Sequence, residues 1–79
     1  MYTWDETKQK INLAKHGIDF CDADEIFAGP LVAVKDTRED YGDARYVALG
    51  MLAGIVLSVV YTERDDQIRI ISIRKALKH

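Results

Sequence analysis

Cysteine, long apolar runs and an excess of positive charge are all scarce in this 79-residue chain, and each shortage closes off a class of protein. The single cysteine, Cys21, cannot form an internal disulfide. With only two histidines beside it, it cannot complete a zinc site either, which fits a reducing compartment. No stretch approaches the ~20 consecutive apolar residues that span a bilayer. Met1 to Lys10 are too charged for a signal peptide, so the cytoplasm is the expected location. A net charge of −2 argues against a strongly basic nucleic-acid binder. No linker, repeat or low-complexity segment interrupts the chain, which reads as one domain over 1–79 with a thin core. Hydrophobic residues at 48% and charged residues at 30% fit a folded chain rather than a disordered one.

Charge is present, but unevenly. Residues 1–43 sum to −5 and residues 44–79 to +3. The second half can therefore present a local positive patch despite the acidic total.

Asp5 is placed to cap a helix over roughly 5–16, with Glu6 at its positive end. Trp4, Ile11 and Ile18 recur at intervals of seven and Ala14 joins Ile11 at three, a narrow apolar stripe. Gly17 supplies a left-handed stop, and Lys15 and His16 occupy the last turn. Asp19 caps a second, shorter helix with Phe20, Ala23, Ile26 and Phe27 on one face, ended by Gly29-Pro30. From Leu31 the period changes to that of strands. Residues 31–36 form the first, 38–43 a polar loop, and 44–52 the second. Ala53-Gly54 makes a tight turn. Ile55 to Tyr61 is nearly continuous apolar and β-branched, which suits a central strand. Asp65-Asp66 turns into a last strand from Ile68 to Arg74, followed by a basic tail from Lys75 to His79 that is one helical turn or a frayed end. Helices followed by strands indicate an α+β fold: two N-terminal helices on a three- to four-stranded antiparallel sheet.

Side chains alternate along strands, so parity decides which arginines share a face. With a two-residue turn at Ala53-Gly54, Arg45 shares a face with Thr62 and Arg64. A two-residue turn at Asp65-Asp66 adds Arg69 and sends Arg74 to the other side. A three-residue loop there does the reverse. Converging arginines suit a phosphate, because each guanidinium is always charged and offers forked donors. The plain alternative is that these strand-end arginines are solvated or pair with Glu63, Asp65 and Asp66. His16 is a candidate general acid or base, since imidazole exchanges its proton near neutral pH; the alternative is a helix-end histidine held by the dipole. Cys21 reads as a buried or half-buried helix residue rather than a nucleophile. Tyr41, Tyr46 and Tyr61 are able to stack on bases, although core or loop positions are commoner for tyrosine.

The order of motifs resembles the BrnT family, the toxin half of the BrnT/BrnA type II toxin–antitoxin pair. The matching residues are Trp4-Asp5, Lys8, Asn12, Lys15-His16-Gly17-Ile18 and Phe20, with Ala23 and Phe27. They continue through Asp40-Tyr41-Gly42, Arg45, Leu49-Gly50, Val60-Tyr61-Thr62-Glu63-Arg64, Ile68-Arg69-Ile70-Ile71-Ser72 and Arg74-Lys75-Ala76. The resemblance implies a RelE-like fold and RNA cleavage without a metal or other cofactor. It also implies inhibition by a cognate antitoxin that carries a DNA-binding domain, so that any contact with DNA is indirect. It makes His16, Arg64 and Arg45 candidate catalytic residues, and Lys15, Arg69 and Arg74 candidate RNA-binding residues. The competing reading is a non-catalytic binding module, an inactive toxin-like variant whose arginine face docks a partner protein.

Overall fold

The computed structural model describes residues 2–37 and 44–76. The loop expected over 38–43, with Tyr41, and residues 77–79 of the basic tail lie outside that range. The elements run β1 (Tyr2–Trp4), α1 (Glu6–His16), a 3-10 turn (Phe20–Asp22), α2 (Ala23–Ala28), β2 (Val32–Asp36), β3 (Arg45–Leu52), β4 (Ile55–Arg64) and β5 (Gln67–Lys75). The fold is α+β, and the five strands form one sheet in the order β1-β5-β4-β3-β2. Ile55–Arg64 is its middle strand, as its apolar run requires.

The sheet differs from the expected three- to four-stranded antiparallel one. Tyr2–Trp4 adds a fifth strand, parallel to β5, with Tyr2 opposite Ile68 and Trp4 opposite Ile70. Three residues carry too little periodicity to announce a strand, and this one exists because β5 offers an open edge. The last strand also runs one residue further than expected, through Lys75, and the Ala76 N–H donates to the Val56 carbonyl.

Helix α1 begins where the Asp5 carboxylate accepts from the backbone N–H of Thr7 at 2.8 Å and of Lys8 at 3.3 Å. It ends at Gly17, whose φ of 73° closes the last turn through an N–H bond to the Leu13 carbonyl. The apolar stripe expected on this helix is not its buried face. Ile11 is 60% exposed and Ala14 is exposed, and Asn12 is the buried residue of α1. The inward side of α1 is polar because it lies against a strand edge, β5, and an edge presents backbone donors and acceptors. The Asn12 amide donates through Nδ2 to the carbonyls of Ile73 at 2.8 Å and Ile18 at 3.1 Å. It accepts the Ile73 N–H at Oδ1. One side chain thus takes the place that a neighbouring strand would hold beside Ile73. Gln9 similarly accepts the Phe20 N–H.

The core lies on one sheet face, where Ile18, Phe20, Ala23 and Ile26 meet Ala48, Leu57, Val59, Tyr61, Ile70 and Ile73. Gly50 lies under α2 because a side chain would not fit: a Cβ there would stand 2.7 Å from Ile26 Cγ2 and 3.0 Å from Leu31 Cδ1. Ile26 is fully buried and has little room to yield. Gly50→Ala should therefore lower stability by about 1–3 kcal/mol, the usual cost of overpacking. Chemical denaturation reads this, and a loss under about 0.5 kcal/mol would mean that α2 moves freely on the sheet.

Both hairpin turns are two residues long. Ala53 and Gly54 have φ of 51° and 80°, and Asp65 and Asp66 have φ of 51° and 66°. Two positive φ values in succession are what a type I′ turn requires, and its twist matches that of the flanking strands. Glycine accepts such a conformation freely and aspartate tolerates it.

Candidate nucleic-acid interface

The pairing of β3 with β4 places Arg45 opposite Thr62, as parity predicts. Across the next hairpin Thr62 faces Arg69 and Arg64 faces Gln67. Thr3 of β1 lies beside Arg69 and Asp36 of β2 beside Arg45. One row therefore crosses the whole sheet on the face opposite the core: Asp36, Arg45, Thr62, Arg69, Thr3. Arg45 and Arg69 flank Thr62 and stand roughly 10 Å apart, two strand spacings. Arg64 lies one pleat beyond that row, diagonal to both.

Arg74 joins this face for a reason that neither turn length provides. The ladder of β4 and β5 shifts between Val60, opposite Ser72, and Tyr61, opposite Ile70, so that Ile71 is one extra residue on β5. This bulge reverses the parity of everything after it. A two-residue turn and a bulge together put Arg64, Arg69 and Arg74 on the same side, with Arg74 opposite Ser58. The either-or choice between Arg69 and Arg74 does not hold. Arg74 stands apart all the same, since Ser58 lies four residues along β4 from Thr62, about 13 Å.

Arg64 and Arg69 line a cavity of about 290 Å³ together with Thr3, Thr62 and Gln67. Thr3 went unrecognised in the sequence because β1 did. Thr62 and Gln67 follow from the same parity that aligned the arginines. Asp36, near the other end of the row, is the one acid among the described strand residues of this face.

His16 and Lys15 lie elsewhere. Both line a second cavity, between α1 and the edge of β5, with Lys8, Ile11, Asn12 and Ser72. Asn12 is level with Ile73, and His16 is one helical turn further on, bordering a third cavity with Leu57 and Lys75. Ser72, which shares the second cavity with His16 and Lys15, lies opposite Val60, four residues along β4 from Arg64, about 13 Å. The structure groups Arg45, Arg64 and Arg69, sets Arg74 further along the same face, and places His16 and Lys15 at the β5 edge beside Ser72, two residues from Arg74.

Tyr46 and Tyr61 belong to the opposite face. Their rings stack at 5.4 Å and 21°, and Tyr61 meets Phe27 edge-on at 5.1 Å. Burial raises the pKa of the Tyr61 hydroxyl, helped by the charge of Glu63. These are core aromatics, not a stacking platform beside the arginines. Cys21 is exposed rather than buried or half-buried, because it sits in the 3-10 turn on the outer side of Phe20. Its thiol is raised above its ordinary pKa by a hydrogen bond to Asp19, with burial and the charges of Asp19, Asp22 and Glu6 adding to it. A thiol held protonated is a poor nucleophile. The Asp19 carboxyl is lowered in turn, chiefly by the Cys21 backbone N–H. Among the described residues, no three His, Cys, Asp or Glu side chains gather as a metal site. No described helix is long and apolar enough to cross a membrane.

Residues 4–79 match the family model described as ribonuclease toxin, BrnT, of type II toxin-antitoxin system. The chain belongs to the BrnT family. The match spans nearly all of its length, and with it α1, both hairpins and all four arginines of the open face. BrnT proteins are ribonuclease toxins, and membership in a type II system implies a cognate antitoxin partner. No curated protein matches the chain.

Proposed function

We propose that this BrnT chain is a cytoplasmic endoribonuclease that holds RNA against the open sheet face and cleaves it without a metal. The observation that carries this reading is the grouping of Arg45, Arg64 and Arg69 around Thr62 on one face. Guanidinium groups bind phosphate oxygens through paired donors, and they stabilise the charge that builds on phosphorus as it becomes five-coordinate. In the proposed reaction the ribose 2′-oxygen forms a bond to the adjacent phosphorus and the bond to the 5′-oxygen breaks. Solvent water takes the 2′-hydroxyl proton and returns one to the departing 5′-oxygen, which gives a 2′,3′-cyclic phosphate and a 5′-hydroxyl product. Arg64 and Arg45 stabilise the phosphate, while Arg69 and, further along the strand, Arg74 hold the flanking backbone. The cognate antitoxin, by family resemblance a protein with its own DNA-binding domain, neutralises the toxin.

His16 borders Ser72, about 13 Å along the sheet from Arg64, and acid–base work needs contact within about 3 Å, so this reading gives His16 no proton transfer at the phosphate held by Arg64. An RNA strand that extends past Arg74 towards α1 would meet Lys15 and His16 as backbone contacts instead. The test is cleavage of a model RNA in excess chelator by the wild type and by His16→Ala. The expected results are full wild-type activity in chelator and less than a ~10-fold loss in the variant. A loss of the ~10²–10⁴-fold typical of a general acid or base would move the reacting phosphate to the helix end and overturn the arginine row. Activity that disappears with chelator would overturn metal independence.

A further inference from the structure

The open face has a second half that the arginine row does not use. Val32 and Val34 of β2, Leu49 and Met51 of β3, and Val56 of β4 share its parity. All five are exposed, Val32 at 67% and Val34 at 62%. They cover three adjacent strands, an area of roughly 15 by 10 Å between backbone positions. Scattered surface valines need no explanation, but five large apolar side chains on one pleated face form a patch of the kind that binds another protein. Helix α2 lies on the other side of the sheet and α1 along the edge of β5, so among the described residues no helix covers this half as a sheet face is normally covered.

Its chemistry also limits the occupant. Arg74 borders the patch, opposite Ser58, which is itself opposite Leu49. A depression of about 400 Å³ lined by Val34, Val47, Ser58, Val60 and Arg74 joins the apolar half to the basic one. Beyond it stand Arg45, Arg64 and Arg69. A partner that covers both halves needs apolar side chains at one end and carboxylates at the other.

We infer that the antitoxin docks here: an amphipathic, acidic segment of it lies across the open face, anchored on Val32, Val34, Leu49, Met51 and Val56, with its carboxylates reaching Arg74 and the arginine row. The inference rests on the toxin reading above and adds a division of labour. The valine–leucine half supplies affinity for the antitoxin, and the arginine half is what antitoxin and RNA compete for. Docking and cleavage are therefore separable by mutation.

The experiment uses the full chain carrying Val32→Ser and Leu49→Ser together, the cognate antitoxin, and a model RNA. Both substitutions fall on exposed positions outside the arginine row. Losing two such apolar contacts should weaken antitoxin binding by at least ~100-fold, while cleavage by the free variant stays within about twofold of wild type. If the double variant melts early, Met51→Gln reads the same patch with an expected loss of ~10-fold. Unchanged antitoxin affinity in a folded variant overturns the inference. So does loss of cleavage along with loss of binding, since the patch would then belong to the RNA. Ile11→Ser, on the exposed side of α1, should bind the antitoxin normally; if it releases the antitoxin and the double variant does not, the docking surface is α1. A wild-type chain that fails to cleave RNA would defeat the ribonuclease reading, and the affinity comparison would still decide the docking.

Discussion

Arg64→Ala should abolish RNA cleavage and leave the fold intact. Arg64 ends the middle strand, is exposed, and lines the same cavity as Arg69, with Arg45 diagonal to it across the hairpin. An exposed arginine contributes at most about 1 kcal/mol to folding through its charge contacts, so the melting temperature should move little. Removing a preorganised donor from a developing oxyanion usually costs ~10²–10³ in rate, and removing a forked cation should cost at least that. Arg64→Lys should recover only part, because an ammonium is a point charge and cannot make the paired contact. The measurement is single-turnover cleavage of a model RNA, with circular dichroism as the fold control. Full activity in Arg64→Ala would remove the open face from the mechanism.

Asn12→Ala should cost roughly 3 kcal/mol of stability, the sum expected when three buried backbone groups lose one amide partner. In a domain of this size that is about 12–24 °C in melting temperature. The sign is informative, because alanine is the better helix former and by propensity alone the substitution would stabilise α1 by about 0.5 kcal/mol. The destabilisation arises because Ile73 stands on a sheet edge where β1 has already ended. Without Asn12, its N–H and C=O face a packed helix with nothing to bond. Asn12→Asp should fare little better. A carboxylate still accepts the Ile73 N–H, but it cannot donate to the Ile73 and Ile18 carbonyls. Thermal melts of the two variants check this. A wild-type melting temperature in Asn12→Ala would mean that the amide does not bridge α1 to β5 in solution.

Much of the local structure was legible. Asp5, Gly17 and Asp19 act where their chemistry requires, because caps depend on a few consecutive residues and on nothing remote. The positions of the two hairpins were legible for the same reason, and with the first of them the facing of Arg45, Thr62 and Arg64, while the length of the second turn, and so the side of Arg69, was left open. The orientation of α1 was not. Its apolar stripe through Ile11 and Ala14 assumed that a helix buries carbon against carbon, whereas this helix lies against backbone and turns Asn12 and Gln9 inward. Periodicity of apolar residues carries no signal for a polar contact of that kind.

The amino-acid sequence by itself determined the α+β order, the helix ends, the positions of the two hairpin turns and the family, since each rests on short-range chemistry or on motifs read in line. Only the tertiary structure decided the rest. The three-residue β1 formed because β5 offered an edge. The single extra residue at Ile71 turned Arg74 to the face that Arg64 and Arg69 already held, and a bulge is a mismatch between two strands that neither strand records alone. The distance from His16 to the arginine row was set by the course of α1 along β5. Adjacency in sequence says nothing about which end of a sheet a helix reaches, because that depends on contacts between residues as far apart as Asn12 and Ile73.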